Sequence, residues 1–377
     1  MSLFPEPSLL VAGTQSIQAV GVSEPNPRVG CAIFAADGAL VASGHTDRTG
    51  GAHAEIAALR QARDSGREVA GATVHVTLEP CSHHGRTPPC CDALVAAGVA
   101  KVVVAIRDPN PLVAGRGLER LRAAGIEVEL LPPDHPAALA SRELNIGFFS
   151  RMIRRRPWVR MKVAASLDGR TALDNGASQW ITGPEARADG HAWRRRAGAV
   201  LTGIGTVLDD DPRLDVRLVP TEVQPLRVVV DSRLEIPLEA RILQPPGTVL
   251  VYTAADLQGN AAAKAAALAE RGVALHHCPG PGGKVDLAAM LDDLARREVN
   301  ELHVEAGHKL NGSFVREGLV DELLCYLAPR MLGLGREMAR FGPLESLQDG
   351  LAMEFVDVER VGADLRVRAR PLGRADF

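Results

Sequence analysis

Short apolar runs rich in β-branched residues alternate with amphipathic segments along the whole chain. Such runs predict buried strands, and apolar residues three or four positions apart predict helices that pack on those strands. In the first part of the chain the predicted strands are 29–34, 72–78 and 101–106, and the predicted helices are 53–62, 89–97 and 117–124. Because strand and helix alternate, this part should fold into α/β layers.

The rest of the chain repeats the alternation with more strands. It opens with strand 158–165, which ends in a turn at Asp168 and Gly169, and continues with a helix over 184–198 that starts at Gly183 and Pro184. The further predicted strands are 226–231, 249–253, 273–276, 301–305, 322–327, 354–361 and 365–369, and the further helices are 260–271, 287–297 and 308–318. The last two strands are close in sequence, so we expect an antiparallel hairpin at the edge of the sheet.

A domain boundary is expected near residue 150, where the segment 151–157 is basic and ends in a proline. A solvated linker explains this segment more simply than an anion site does. The sequence therefore predicts two domains, 1–150 and 151–377. The length of 377 residues agrees with two domains or three small ones, at roughly 150 residues each.

Composition excludes several classes of protein. A formal charge of −3 and 3% aromatic residues give no basis for a nucleic-acid-binding surface. No apolar run approaches the roughly 18 residues of a membrane span, and the apolar N-terminal segment has no basic residue before it, so we expect no signal peptide. Six cysteines are too few for a disulfide scaffold, and three of them lie close together at Cys81, Cys90 and Cys91. This clustering indicates metal chemistry in a reducing cytoplasm.

The strongest chemical signal is a set of three soft ligands, His53, Cys81 and Cys90. One imidazole and two thiolates suit tetrahedral zinc and leave a fourth position for water, which is typical of a catalytic site. Glu55 is the candidate proton carrier because it follows His53 by two residues. Positions two apart diverge in a regular helix, so this pair works only where a helix begins.

The alternatives at this site are a core histidine with inert cysteines, or a structural zinc. Prolines stand before both cysteines, which favours helix starts whose positive ends stabilise thiolates. Three further groups could act as ligands. We expect Cys91 to be buried, and His83 and His84 to line a substrate pocket.

The order H-x-E followed by P-C and a second cysteine resembles the zinc-dependent cytidine-deaminase superfamily. The sequence departs from that pattern because eight residues separate Cys81 from Cys90. This insert, and the segments 25–30, 108–111 and 113–117, resemble the branch that deaminates a diaminopyrimidine ribotide in riboflavin biosynthesis. The resemblance implies a cytidine-deaminase-like three-layer domain that uses one Zn²⁺. It further implies that a zinc-bound hydroxide attacks the pyrimidine while Glu55 shuttles protons.

The second part contains no G-x-G-x-x-G sequence and no P-loop. Instead, segments 202–208 and 304–310 each run from a predicted strand into a predicted helix. Two such junctions in one α/β sheet predict a cleft at the carboxyl ends of the strands that could hold a dinucleotide. Tight packing is the alternative explanation for the glycines in these segments.

Segments 162–170, 178–182, 210–217 and 305–307 resemble the reductase domain of the riboflavin pathway. That domain has a dihydrofolate-reductase-like fold and uses NADPH. The two domains in this order are similar to the bacterial bifunctional riboflavin-biosynthesis enzymes over about residues 24 to 371. The implied second step is reduction of the ribosyl group to give the ribitylamino-uracil phosphate.

Residue roles follow from this resemblance by position. Those assigned to the nicotinamide dinucleotide are Ala164, Trp180, Thr206, Asp210, Ser232 and the turn of Gly307, His308, Lys309, Leu310, Asn311, Gly312 and Ser313. Those assigned to the substrate are Ser178, Arg194, Leu214, Arg217 and Glu305. Arg194 and Arg217 could clamp a phosphate by forked hydrogen bonds, or they could be solvated surface side chains. Lys162 and Asp210 are both candidates for the reductase proton donor.

Two rival functions remain at this stage. A nucleic-acid base deaminase would need a basic groove or stacking aromatic residues. A non-catalytic zinc protein would close the metal site with a fourth ligand such as Cys91. We expect a cytoplasmic homo-oligomer that acts on small ribotides, with neither nucleic acid nor membrane as a partner.

Overall fold

The computed structural model describes residues 7–83, 88–111 and 113–376, and the chain divides into two compact units, Met1–Arg155 and Arg156–Phe377. The boundary predicted after residue 150 falls within the last helix of the first unit, Ile146–Arg154. That helix ends at Arg155, which has a left-handed backbone conformation with φ of 58°.

The first unit has five strands and six helices within its described residues. In chain order they are α1 (Pro7–Gln18), β1 (Gly30–Phe34), β2 (Leu40–His45), α2 (Ala54–Asp64), β3 (Thr73–Val76), α3 (Cys90–Ala96), β4 (Lys101–Val104), α4 (Arg116–Ala123), β5 (Glu127–Leu130), α5 (Pro136–Leu144) and α6 (Ile146–Arg154). The predicted strands and helices of this part are confirmed, with differences at their ends. The sequence did not predict α1, β2, β5, α5 or α6.

The sheet of the first unit has the order β2-β1-β3-β4-β5. Strand β1 is antiparallel to both of its neighbours, whereas β3, β4 and β5 are parallel. Helix α1 packs so closely on β1 that a Cβ at Gly30 would lie 1.9 Å from the carbonyl oxygen of Ala12. Only glycine permits this approach, so the first helix belongs to the core of the unit despite its interrupted sequence pattern.

The second unit contains eleven strands and five α-helices within its described residues. In chain order they are β6 (Trp158–Ser166), β7 (Arg170–Leu173), α7 (Pro184–Arg196), β8 (Ala199–Gly203), α8 (Ile204–Asp210), β9 (Leu226–Val230), β10 (Val249–Thr253), α9 (Asn260–Glu270), β11 (Val273–His277), α10 (Leu287–Arg296), β12 (Glu301–Val304), α11 (His308–Arg316), β13 (Glu322–Ala328), β14 (Gly335–Glu337), β15 (Met353–Val361) and β16 (Asp364–Pro371). Every strand and helix predicted for this part is present.

Nine strands form the main sheet of the second unit in the order β11-β10-β9-β8-β12-β6-β13-β16-β15. The strands from β11 to β13 are parallel, and β16 and β15 form the antiparallel hairpin that was predicted at the edge. Strands β7 and β14 pair with each other in a separate small sheet. Buried parallel strands are apolar on both faces, which explains the nearly continuous apolar runs in this half of the sequence.

The centre of the large sheet also buries charge. Arg160 of β6 lies between Glu301 and Glu322, with its guanidinium 2.6 Å from a Glu301 carboxylate oxygen. All three side chains are fully buried, and each charge is compensated by its partners. Among the described residues, no helix has the length and apolarity to cross a membrane.

Candidate active sites

The structure brings together the three predicted metal ligands of the first unit. Nδ1 of His53 lies 3.6 Å from Sγ of Cys81 and 3.4 Å from Sγ of Cys90. All three ligand atoms lie within 4.8 Å of one another. Within the described residues, no other cluster of histidine, cysteine or carboxylate side chains has this spacing.

Helix starts explain how these side chains converge. His53 is the N-cap of α2 in an extended conformation, and Cys90 is the first residue of α3. The backbone N–H of Cys90 donates to Sγ of Cys81 at 3.3 Å, so the start of α3 faces a thiolate. The pKa of Cys81 is lowered to about 4 because its sulfur accepts hydrogen bonds from Cys90 and His53, although burial opposes this shift.

The spacing of the three atoms fits zinc. Tetrahedral bonds of about 2.3 Å to sulfur and about 2.0 Å to nitrogen place the two ligand atoms about 3.5 Å apart. The observed sulfur to nitrogen distances of 3.6 and 3.4 Å agree with this value. The cluster therefore has the donor set and the dimensions of a three-ligand zinc site.

Glu55 stands beside this cluster in the first turn of α2, where the sequence required it to be. It is only 3% exposed and interacts with the thiol of Cys90. Burial, together with the charge of Cys81, raises the pKa of Glu55 to about 7. A carboxyl group with this pKa can take up and release a proton near neutral pH.

Cys91 does not complete the metal site. It is buried, and its thiol donates to the carbonyl oxygens of Pro80 at 3.3 Å and Gly117 at 3.5 Å. His83 is partly buried, and its Nδ1 makes no hydrogen bond to any residue that the structure describes. His84 lies outside the described residues. Among the described side chains, the metal cluster thus has three protein ligands.

Sequence reasoning missed Glu79, a buried carboxylate two residues before Cys81. It accepts backbone N–H groups from Gly115 at 2.9 Å and Gly117 at 3.0 Å, and from Asp108 and Leu118 at longer distances. These contacts attach the start of α4 to the loop that carries Cys81. The only sequence signal was the position of Glu79 directly before Pro80 and Cys81.

In the second unit, the two predicted strand-to-helix junctions lie side by side. They follow β8 and β12, which are parallel neighbours in the sheet. Around Gly205 there is open space where a Cβ would stand, and a Cβ at Gly307 would lie 3.6 Å from Oγ1 of Thr206. Helix α11 begins directly after β12, and among the described residues no side chain caps its start, so its first backbone N–H groups keep free donors at this end of the sheet. This exposed backbone can accommodate a dinucleotide phosphate.

Glu305, at the end of β12, is the centre of a charged cluster. Its carboxylate accepts two hydrogen bonds from the guanidinium of Arg194 and lies 3.6 Å from Nζ of Lys162. Nε2 of His303, which is fully buried, is 3.4 Å from the same carboxylate. Burial opposes ionisation, yet the charges of Arg194 and Lys162 hold the pKa of Glu305 well below its usual range.

Asp215 is the centre of a second cluster that the sequence did not predict. Its carboxylate accepts hydrogen bonds from Arg217 at 2.8 Å and from Arg213 at 2.9 Å. Its backbone oxygen accepts from Arg194 at 2.9 Å, which links this cluster to Glu305. In the sequence, the only sign of this cluster was that Arg213 and Arg217 stand two residues before and two residues after Asp215.

The other predicted residues lie at the same end of the sheet or near it. Oγ of Ser178 donates to Asp210 at 3.1 Å, and Oγ of Ser232 accepts the backbone N–H of Val285 at 3.2 Å. Trp180 is 61% exposed and its ring stacks 4.6 Å from the guanidinium carbon of Arg187, so it is not a core residue.

The remaining residues with predicted roles contribute backbone or packing. Ala164 lies within β6, Leu214 is buried with φ of 55°, and Leu310 packs beside Gly203. The turn that starts α11 contacts the segment 338–340. The carbonyl oxygen of His308 accepts the backbone N–H of Arg340, the side-chain amide of Asn311 donates to the carbonyl oxygen of Met338, and Gly312 packs against the backbone of Arg340. Lys309 is exposed, and Oγ of Ser313 accepts a hydrogen bond from Arg316 at 3.0 Å.

Family comparisons cover both units. The family described as RibD C-terminal domain matches residues 157–367, and the family described as cytidine and deoxycytidylate deaminase zinc-binding region matches residues 10–106. The riboflavin biosynthesis protein RibD of Escherichia coli strain K12 is 44% identical over 358 residues, which cover 91% of this chain and 93% of the relative. RibD of Aquifex aeolicus is 41% identical over 346 residues, with 92% of each chain covered.

Solved structures of similar proteins extend over nearly the whole chain. One form of Acinetobacter baumannii RibD is 40% identical with a TM-score of 0.85, covering 97% of this chain and 98% of that one. A Thermotoga maritima protein described as a diaminohydroxyphosphoribosylaminopyrimidine deaminase and 5-amino-6-(5-phosphoribosylamino)uracil reductase is 31% identical with a TM-score of 0.83 and covers 96% of each chain.

Proposed function

Since the chain belongs to the RibD family of riboflavin-biosynthesis enzymes, we propose which of its residues perform the two reactions of that family. The enzyme is a zinc-dependent pyrimidine deaminase and an NADPH-dependent reductase. The predicted fold class is confirmed, with a cytidine-deaminase-like domain followed by a reductase domain. A division after residue 150 would cut α6, so we assign deamination to the first compact unit, Met1–Arg155, and reduction to the second, Arg156–Phe377.

In the deaminase domain we assign zinc to His53, Cys81 and Cys90. The single observation that carries this assignment is the convergence of the three ligand atoms with a buried glutamate beside them. When bound there, Zn²⁺ lowers the pKa of a water molecule and polarises it for attack on the amine-bearing carbon of the pyrimidine. Glu55 takes the proton of that water and returns it to the departing amino group, which leaves as ammonia.

In the reductase domain we place NADPH across the junctions after β8 and β12. We assign its contacts to the residues predicted above, which are Ala164, Trp180, Thr206, Asp210, Ser232 and the turn from Gly307 to Ser313. Thr206 and this turn lie at the two junctions themselves. When bound, NADPH supplies the hydride that reduces C1 of the ring-opened ribose. The contribution of the chain is to position the two molecules and to supply a proton.

We assign the role of proton donor in the reduction to Nζ of Lys162. This atom lies 3.6 Å from Glu305, whose carboxylate can hold it in place at the end of the sheet. The alternative, Asp210, accepts a hydrogen bond from Ser178. We assign Ser178, Arg194, Leu214 and Arg217 to the substrate. All three nitrogen atoms of the Arg194 guanidinium are bonded to Glu305 or Asp215, so of the two arginines Arg217 suits the phosphate of the ribotide.

We further propose a homo-oligomer in the cytoplasm. Strand β15 is a sheet edge whose Phe355 is 76% exposed and whose Val358 is 54% exposed, and a second copy of the chain would cover these side chains. All six cysteines are free, which suits a reducing compartment. Sedimentation of the full chain and of Phe355→Glu tests the oligomer, because the substitution should shift it toward monomer.

Incubation with the diaminopyrimidine ribotide, with and without NADPH, tests the whole assignment. Without NADPH the enzyme should release ammonia and accumulate the deaminated ribosylamino-uracil phosphate. With NADPH the ribitylamino product should form. Release of ammonia without any later oxidation of NADPH would contradict the assignment of the second domain.

A further inference from the structure

The segment between α8 and β9 carries charges at alternate positions. Arg213, Asp215 and Arg217 alternate with Leu214 and Val216, which are buried. Asp215 is only 5% exposed, whereas the side chain of Arg213 is 39% exposed and that of Arg217 is 43% exposed. Two guanidinium groups therefore reach solvent on either side of one buried carboxylate.

The carboxylate of Asp215 is shared between the two arginines. Arg213 donates from Nε and Nη2 to one carboxylate oxygen, at 3.1 and 2.9 Å, and Arg217 donates from Nη1 to the other at 2.8 Å. Among the contacts of the described residues, Nη1 of Arg213 and Nη2 of Arg217 make no hydrogen bond. Each guanidinium thus keeps donors that a ligand can use.

The segment is held rigidly by its neighbours. The side-chain amide of Gln224 accepts from the backbone N–H of Val216 and donates to its carbonyl oxygen, both at 2.8 Å. Nδ1 of His191 accepts the backbone N–H of Arg217 at 3.1 Å. Because these bonds fix the backbone, the two arginines project from a prearranged position, which reduces the entropy lost on binding.

The connected charges do not cancel. Within the described part of the chain, two carboxylates, Glu305 and Asp215, pair with four cations. Glu305 pairs with Lys162 and Arg194, and Asp215 pairs with Arg213 and Arg217. Burial, with the nearby charges of Arg194 and Arg217, lowers the pKa of His191 to about 4, so this histidine adds no charge at neutral pH. Arg213 and Arg217 share the single charge of Asp215, so this pair of arginines keeps a surplus of positive charge that suits a phosphate monoester, which carries about −1.5 to −2.

We propose that Arg213 is a specificity-determining residue of the reductase that binds the phosphate of the ribotide together with Arg217, and that Asp215 positions both guanidinium groups. The proposal rests on the assignment of Arg217 to the substrate made above. Arg213 was absent from the residues that the family resemblance assigned, and its role follows from the shared carboxylate. We assign this pair of arginines to the phosphate monoester of the ribotide and not to the pyrophosphate of the cofactor, because Arg194 links Asp215 to Glu305 and both Arg194 and Glu305 are assigned to the substrate.

Steady-state kinetics of Arg213→Gln test this proposal, with NADPH oxidation as the readout and purified deaminated ribotide as the substrate. We expect the KM for the ribotide to rise about tenfold, because the lost contact is charged but partly screened by solvent. The KM for NADPH and kcat should stay within about twofold, since a phosphate contact remote from the reacting carbon acts mainly on ground-state binding. Arg213→Lys, which keeps the charge without the fork, should recover part of the loss.

Inorganic phosphate serves as the probe for the subsite. It should inhibit the unmodified enzyme competitively against the ribotide, and Arg213→Gln should weaken this inhibition by a similar factor. The matched control is Arg296→Gln, because Arg296 is also an exposed arginine paired with an aspartate, at 3.5 Å from Asp293. This control should leave both values unchanged.

Each other outcome overturns the proposal. An increase in the KM for NADPH alone would assign Arg213 to the cofactor. An unchanged ribotide KM and unchanged phosphate inhibition would make the Arg213 and Asp215 pair structural only. If Arg217→Gln also left both values unchanged while the enzyme still turned over, the substrate assignment in the proposed function would be the part that failed.

Discussion

The two active sites differ in how far the chain has assembled them before any ligand binds. In the deaminase domain, the three ligand atoms lie within 4.8 Å of one another, and the buried Glu55 stands beside them. In the reductase domain, the residues with predicted roles are spread over several strand ends, and four of them, Trp180, Arg217, Gly307 and Lys309, are exposed. A metal site requires its ligand side chains to lie close together in the folded chain. Hydride transfer requires instead a surface that positions the cofactor and the substrate against each other.

Removal of zinc should have the largest effect, because it should abolish one activity and leave the other. Treatment with a chelator should abolish ammonia release, because His53, Cys81 and Cys90 then hold no metal. The reduction of supplied deaminated intermediate should remain nearly intact, since no residue of the reductase cluster is a metal ligand. Metal analysis should find about one zinc per untreated chain. Equal loss of both activities would show that the two sites are not independent.

Glu55→Gln should produce the next largest effect. The substitution keeps the shape of the side chain and removes its ability to carry a proton, so deamination should fall by roughly 10² or more. Zinc content and the reductase activity should not change. Glu68→Gln, an exposed glutamate of the same domain, is the matched control. Near-normal deamination by Glu55→Gln would move the proton carrier elsewhere, with His83 or His84 as the next candidates.

Arg217→Ala tests the reductase side with a smaller effect. Loss of a charged contact costs about 1.5–3 kcal/mol, or about 10- to 150-fold in the KM for the ribotide. Because the side chain is 43% exposed, we expect the lower end of this range. Ammonia release and zinc content should be unaffected. A change confined to the KM for NADPH would reverse the assignment of the two ligands within the cleft.

Gly205→Val should have the smallest effect and should sharpen the same assignment. Among the described residues, and apart from its chain neighbours and the backbone of its own helix, nothing lies within 4 Å of the position that its Cβ would take, so the domain should still fold. The added side chain would occupy the open space above the backbone, and the KM for NADPH should rise several-fold while that for the ribotide stays constant. Loss of deamination in this variant would reveal coupling between the domains.

The contrast between the sites also explains what the sequence could predict. His53, Glu55, Cys81 and Cys90 were predictable because a metal restricts both the residue types and their positions at helix starts. Arg213 and Asp215 were not identified, because charged residues are common on surfaces and only their shared contacts distinguish them. Glu79 was missed for a related reason, since its partners lie 29 to 39 residues away in the chain.

The fold shows the same limit. Buried parallel strands were predicted because their apolar runs are continuous, and the hairpin of β15 and β16 because its strands are adjacent in sequence. Helix α1 was missed because glycine and serine interrupt its pattern. Its packing depends on Gly30, a residue in another element whose requirement is visible only in three dimensions.

The capping of α4 by Glu79 has a consequence for local unfolding. A helix of eight residues is too short to persist alone in water, and its N-cap Gly115 supplies no side chain. The amides of Gly117 and Leu118 are protected by a carboxylate on the loop that carries Cys81. In hydrogen exchange these two amides should therefore open together with that loop, as one cooperative unit, and not by fraying from the helix end. The exchange rates of these two amides would thus measure how often the contact between Glu79 and the start of α4 breaks.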